Sequence, residues 1–89
     1  MEPRDEELIE EYRQGSAGAM EMLFSRHKQK VFNYALRILA NRADAEDITS
    51  DVFVRLFDKN YQFRLGAKFT TWLFTVVRNA CIDCIRKRQ

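Results

Sequence analysis

Apolar residues recur at helical steps along almost the whole chain. Leu8, Ile9 and Tyr12 stand at i, i+1 and i+4, a narrow apolar face that predicts a short first helix over 5–14. Gly15-Ser16 ends it, with Ser16 placed to cap the second helix. Met20, Leu23, Phe24, His27, Val31, Tyr34, Ala35 and Ile38 alternate steps of three and four, predicting the longest helix over 17–40. Asn41-Arg42-Ala43 reads as a break, and Asp44 as the N-cap of a third helix over 45–59, with Asp47 suiting its positive end. Ile48, Val52, Phe53 and Leu56 then turn inward. Residues 60–67 have no helical period and form the one sizeable loop. Phe69, Trp72, Leu73, Val76, Val77, Ala80 and Cys84 predict a fourth helix over 68–88. The expected fold is all-α, a compact bundle of four helices, one short and three longer, with no sheet.

A chain of 89 residues with 46% apolar and 31% charged residues is expected to form a single domain, 1–89. One proline and three glycines leave few interruptions, in keeping with long helices. No apolar run reaches the roughly 18–20 residues of a membrane span, and the acidic opening Met1-Glu2-Pro3-Arg4-Asp5 is unlike a secretory signal. Cytoplasm is the expected location. Cys81 and Cys84 form a C-x-x-C, but it falls deep in a helical pattern, and a zinc site needs two further ligands. Both are expected to be small buried hydrophobes. His27 sits on the apolar stripe of the second helix, where a core role is the simpler reading. No metal constellation, nucleophile–base pair or phosphate loop is present, so no cofactor is expected and an enzyme is poorly supported.

Charge changes the picture. Residues 59–89 carry seven Lys/Arg against the single acid Asp83, a net of +6, whereas residues 1–58 carry eight bases and twelve acids, a net of −4. The overall +2 hides a polarised molecule. The basic third also holds Tyr61, Phe63, Phe69, Trp72 and Phe74, five of the eleven aromatics. Positive charge interleaved with rings suits a protein that holds phosphates and receives unstacked bases. Two faces remain once the core is assigned. On the third helix Asp47, Ser50, Asp51, Val54 and Asp58 make one stripe outside the core, either a solvated acidic face or a docking strip for a basic partner. On the loop and fourth helix, Arg64, Lys68, Thr71, Thr75, Arg78 and Asn79 lie off the buried stripe, with groups suited to phosphates and base edges. Tyr61 and Phe63 either close a pocket around a flipped base or seal the end of the bundle. Arg86-Lys87-Arg88 is either a solubilising terminus or a set of phosphate contacts.

Several motifs stand in order. Asp44-Ala45-Glu46-Asp47-Ile48 is followed by Asp51-Val52-Phe53, then Phe69-Thr70-Thr71-Trp72-Leu73, then Arg78-Asn79-Ala80-Cys81-Ile82-Asp83. Together they closely resemble region 2 of bacterial sigma factors of the extracytoplasmic-function (ECF) group, whose pattern reads D-A-E-D-I-x-Q-E-V-F, F-x-T-W-L and N-x-x-x-D-x-x-R. Gly15-Ser16 to Phe24 is similar to that group's G-x-x-x-A-F-x-x-L opening. The resemblance implies promoter recognition in transcription initiation. The acidic helix, through Asp47, Ser50, Asp51, Val54 and Asp58, is expected to dock on the clamp helices of the RNA polymerase β′ subunit. Ser50 stands where the family has glutamine. The loop is expected to take a base flipped from the non-template strand of the minus-ten element, with Tyr61, Phe63, Arg64, Leu65, Gly66, Ala67 and Lys68 as candidates. Asn79 matches a family DNA contact, while Thr75 replaces a residue that is often basic; Arg78, Arg86, Lys87 and Arg88 are expected on phosphates. The family also implies a second helical domain for the minus-thirty-five element, outside this chain, and an anti-sigma partner. The competing reading is a helical protein–protein interaction module that reads no DNA.

Overall fold

The computed structural model describes residues 2–58 and 68–88, and in these the chain forms four α-helices: α1 (Asp5–Arg13), α2 (Ala17–Leu39), α3 (Arg42–Phe57) and α4 (Phe69–Arg88). Residues 59–67, which include the expected loop, lie outside the described residues. Helix α2 is the central post. Its 23 residues span about 34 Å, and α1, α3 and α4 all pack against it. Helix α4 also packs along α3.

The buried stripe is the one the periodicity demands. Met20, Leu23, His27, Val31 and Ala35 of α2 meet Leu8 and Ile9 of α1, Val52, Phe53 and Leu56 of α3, and Phe69, Leu73, Val77, Ala80 and Cys81 of α4. Phe24 closes edge-on against Phe53 with centroids 4.9 Å apart, and Tyr34 meets Phe74 in the same way at 5.4 Å. Tyr12, Phe24, Tyr34, Ile38, Ile48, Trp72, Val76 and Cys84, expected inside, are half-buried at the margin. Thr49 takes an inward position on α3 instead. Its hydroxyl donates to the Ala45 carbonyl at 2.7 Å, which satisfies the one polar group it carries into the core.

The helix ends differ from expectation in informative ways. Gly15, at φ +110°, ends α1: its N–H donates to the Tyr12 carbonyl, and the Ser16 N–H donates to the Glu11 carbonyl. That pair of bonds is the Schellman arrangement. Ser16 precedes α2 in extended backbone but makes no side-chain cap. Helix α3 begins at Arg42, three residues before the expected start, because Asn41 is its cap. The Asn41 side chain accepts the Asp44 N–H at 3.0 Å. The break between α2 and α3 therefore shrinks to Ala40 and Asn41.

Candidate nucleic-acid and protein interface

On α3 the inward positions are Ala45, Thr49, Val52, Phe53 and Leu56. A helix turns about 100° per residue, so Asp47, Ser50, Asp51 and Val54 fall opposite them, Asp58 follows as the extended C-cap, and all five are exposed. Val54 is 61% exposed, an apolar side chain set among carboxylates. Asp51 carries a single local partner, Arg55, at 3.3 Å one turn on. An exposed pair of that kind contributes only about 0.3–0.5 kcal/mol, so Asp51 can exchange Arg55 for another cation at little cost. The five residues form a continuous strip that the core does not use.

The outer side of α4 is built in the same way. Phe69, Leu73, Val77, Ala80 and Cys81 face inward, and Lys68, Thr71, Thr75, Arg78, Asn79 and Arg86 fall on the opposite side, all exposed. The Thr75 hydroxyl donates to the Thr71 carbonyl at 2.8 Å, so toward a ligand it offers only its lone pairs. Arg78 and Arg86 make no ion pair among the described residues. A strip of hydroxyls, an amide, an ammonium and two guanidiniums, the guanidiniums eight residues apart, matches the mixed chemistry of a sugar–phosphate track with base edges beside it.

The terminal basic cluster does not stay together. Arg86 joins the outer strip, but Lys87 and Arg88 turn toward α3 and line the groove between the two helices with Ile48, Asp51, Arg55, Asp83 and Cys84. There Arg88 is ion-paired with Asp44, in the first turn of α3. Arg88 is thereby paired within the chain while its side chain stays about half exposed. Tyr61, Phe63, Arg64, Leu65, Gly66 and Ala67 lie outside the described residues.

The residues that could suggest chemistry are occupied otherwise. His27 is buried, its Nε2 2.9 Å from Asp5 Oδ1 and its ring tilted against Phe69. Cys81 and Cys84 are free thiols, and burial, with the neighbouring Cys84 sulfur second, pushes the Cys81 thiol above its ordinary value. A thiol shifted that way holds its proton and is a poor nucleophile. Among the described residues no group of His, Cys, Asp and Glu side chains could hold a metal ion, and no helix is long and apolar enough to cross a membrane.

Sequence periodicity missed four contacts. Asp5 receives both Arg26, whose Nη1 donates at 2.9 Å, and His27. Glu6 and Tyr12 of α1 reach α4 and α3 respectively. The acidic first turn of α1 was the only available signal, and its partners lie 21 to 63 residues away.

The family described as Sigma-70 region 2 matches residues 23–89 of the chain. Among curated proteins the chain is 32% identical over 89 residues to the ECF RNA polymerase sigma factor SigW of Bacillus subtilis, covering all of this chain and 48% of that protein. It is 32% identical over 81 residues to the RNA polymerase sigma factor CarQ of Myxococcus xanthus, covering 91% and 47%. To the ECF RNA polymerase sigma factor SigM of Mycobacterium tuberculosis it is 30% identical over 88 residues, covering 99% and 45%. The chain spans about half the length of these curated relatives.

Proposed function

Because the chain belongs to the sigma-70 region 2 family, within the ECF group of its curated relatives, we propose that it recognises promoters in bacterial transcription initiation through two opposed surfaces. The α3 strip docks on the clamp helices of the RNA polymerase β′ subunit. Asp47 and Asp51 receive basic side chains of those helices, Ser50 offers a hydroxyl, and Val54 supplies the apolar contact between them. The α4 strip and the loop that precedes it hold the melted non-template strand of the minus-ten element. The reading places the chain in the cytoplasm with polymerase, and an anti-sigma protein that covered either strip would silence it.

One observation carries the reading. Every described residue at a proposed contact position is exposed, and those within α3 and α4 sit opposite the core on their own helix, except Lys87 and Arg88, which turn to the α3–α4 groove. Strand capture then follows from ordinary energetics. Unpairing and unstacking cost a few kcal/mol per flipped base, so the isolated chain binds duplex weakly. A strand already opened by polymerase carries no such cost, and each base stacked on a ring contributes about 1–3 kcal/mol. Arg78 and Arg86 fix the register on phosphates and set the salt dependence.

The test separates the two surfaces. Asp51→Arg abolishes retention of a β′ clamp-helix fragment while leaving single-stranded DNA affinity within about twofold, since only a local exposed pair is lost from the fold. Arg78→Ala weakens binding to all single strands alike and lowers the salt slope by about 0.7, the value for one phosphate contact. Normal β′ binding by Asp51→Arg contradicts the docking strip. An interaction module without DNA reading predicts no effect of Arg78→Ala at any salt.

A further inference from the structure

Helices α2 and α4 pack side by side, and two ring contacts set their register. His27 lies against Phe69 with centroids 5.6 Å apart, and Tyr34 meets Phe74 edge-on at 5.4 Å. Both contacts advance together along the chain, so the two helices run parallel. Tyr34 and Phe74 are only half-buried, and their outer edges form an apolar seam between the helices. One turn back and one turn on from Tyr34 stand Lys30 and Arg37, both exposed and about 10 Å apart along α2. Thr71 and Arg78, also exposed, flank Phe74 in the same way on α4. The parallel register brings Lys30 about level with Thr71, and Arg37 about level with Arg78.

Neither helix brings an acid to this face. The one acid of α2, Glu21, lies about 13 Å along the axis from Lys30, and Asp83, the one acid of α4, lines the groove toward α3. The acids of α1 that reach α2 and α4 are already engaged, Asp5 by Arg26 and His27, and Glu6 by the Phe69 N–H. Lys30 and Arg37, like Arg78, make no ion pair among the described residues. Three uncompensated cations about a seam of ring edges suit a phosphate chain whose sugars or bases lie on the seam. Continuity with the α4 strip, through Thr71 and Arg78, favours the strand already proposed there over an acidic protein.

We propose that Lys30 and Arg37 bind phosphates of the single strand held by α4, so that the nucleic-acid face extends across Tyr34 and Phe74 onto α2. The inference rests on the strand-capture reading above. It adds two phosphate contacts to those of Arg78 and Arg86. Phosphates carry no sequence information, so the extension raises affinity for all strands alike and leaves base preference unchanged. The opposite side of α2 takes no part. There Lys28 lies over the Phe24 ring at 5.5 Å, and Phe24 packs on Phe53 of α3. Lys28 is thus a cation of the same helix turned away from the proposed track.

The experiment uses the whole chain and a short labelled oligothymidylate, a sequence-neutral single strand, with affinity read by anisotropy over a series of salt concentrations. Helicity is checked by circular dichroism. Lys30→Gln and Arg37→Gln are each expected to lower the salt slope by about 0.7, and the double variant by about 1.4, the values for one and two phosphates of a single strand. Lys28→Gln removes the same charge from the far side of α2 and is expected to leave the slope within about 0.2 of the unaltered chain. A double variant that keeps the original slope, while Arg78→Ala lowers it, overturns this inference and leaves strand capture standing. An equal fall in Lys28→Gln also overturns it, because the strand would then respond to overall charge and not to this face. An unaltered chain whose binding does not depend on salt overturns the strand-capture reading, and this inference with it.

Discussion

Ala40 is the only described non-glycine residue with a positive φ, 51°, where it closes α2 by donating its N–H to the Leu36 carbonyl at 2.8 Å. An L-residue in that region is strained by about 1–2 kcal/mol, whereas glycine adopts it freely at an entropic cost of about 0.5–1 kcal/mol in the unfolded chain. Ala40→Gly is therefore expected to stabilise the fold by about 0.5–1 kcal/mol, read as a higher urea midpoint at unchanged slope. A lower midpoint contradicts the strain. The residues legible in the amino-acid pattern are those governed by period: Leu23, Val31, Val52, Leu73 and Val77 are fully buried where steps of three and four put them. Ala40 is not legible, because nothing in its type signals a left-handed cap. Nor are Asp5, Glu6 and Tyr12, whose partners are set by the packing of the finished bundle.

At the scale of elements, α3 shows what a cap decides. The acidic Asp44-Ala45-Glu46-Asp47 run suggests Asp44 as the N-cap, but Asn41 takes that place and Asp44 becomes first-turn, with its carboxylate toward Arg88. Asn41→Ala is expected to cost about 1 kcal/mol in denaturant unfolding, with α3 otherwise intact. No measurable cost contradicts the assigned cap. The proposed docking strip is readable because it lies on the complement of the core stripe, and that complement does not depend on the exact first residue. The end of α4 is less readable. Arg86-Lys87-Arg88 looks uniform in sequence, yet the 100° step sends neighbours to different sides, so Arg86 stays on the outer strip while Lys87 and Arg88 enter the groove beside Asp51. Residues 59–67, which include most of the expected base-taking positions, lie outside the described residues, so that half of the candidate site stands on the family resemblance.

The whole molecule carries the two proposed strips on different helices, α3 and α4, which pack on one another and on α2, with opposite charge on each strip. On the proposed reading, the net of −4 over residues 1–58 and +6 over residues 59–89 sorts the two ligands by charge. The acidic side repels DNA and attracts basic protein surface, and the cationic side does the reverse. Two ligands of unlike charge can then occupy one small domain together. The most direct measurement follows the anisotropy of a labelled minus-ten-like single strand bound to the chain, as a β′ clamp-helix fragment is added to saturation. The account predicts a further rise in anisotropy, with strand affinity unchanged or higher, as a ternary complex forms. Release of the strand by the fragment would contradict it, because protein and DNA would then be competing for one surface.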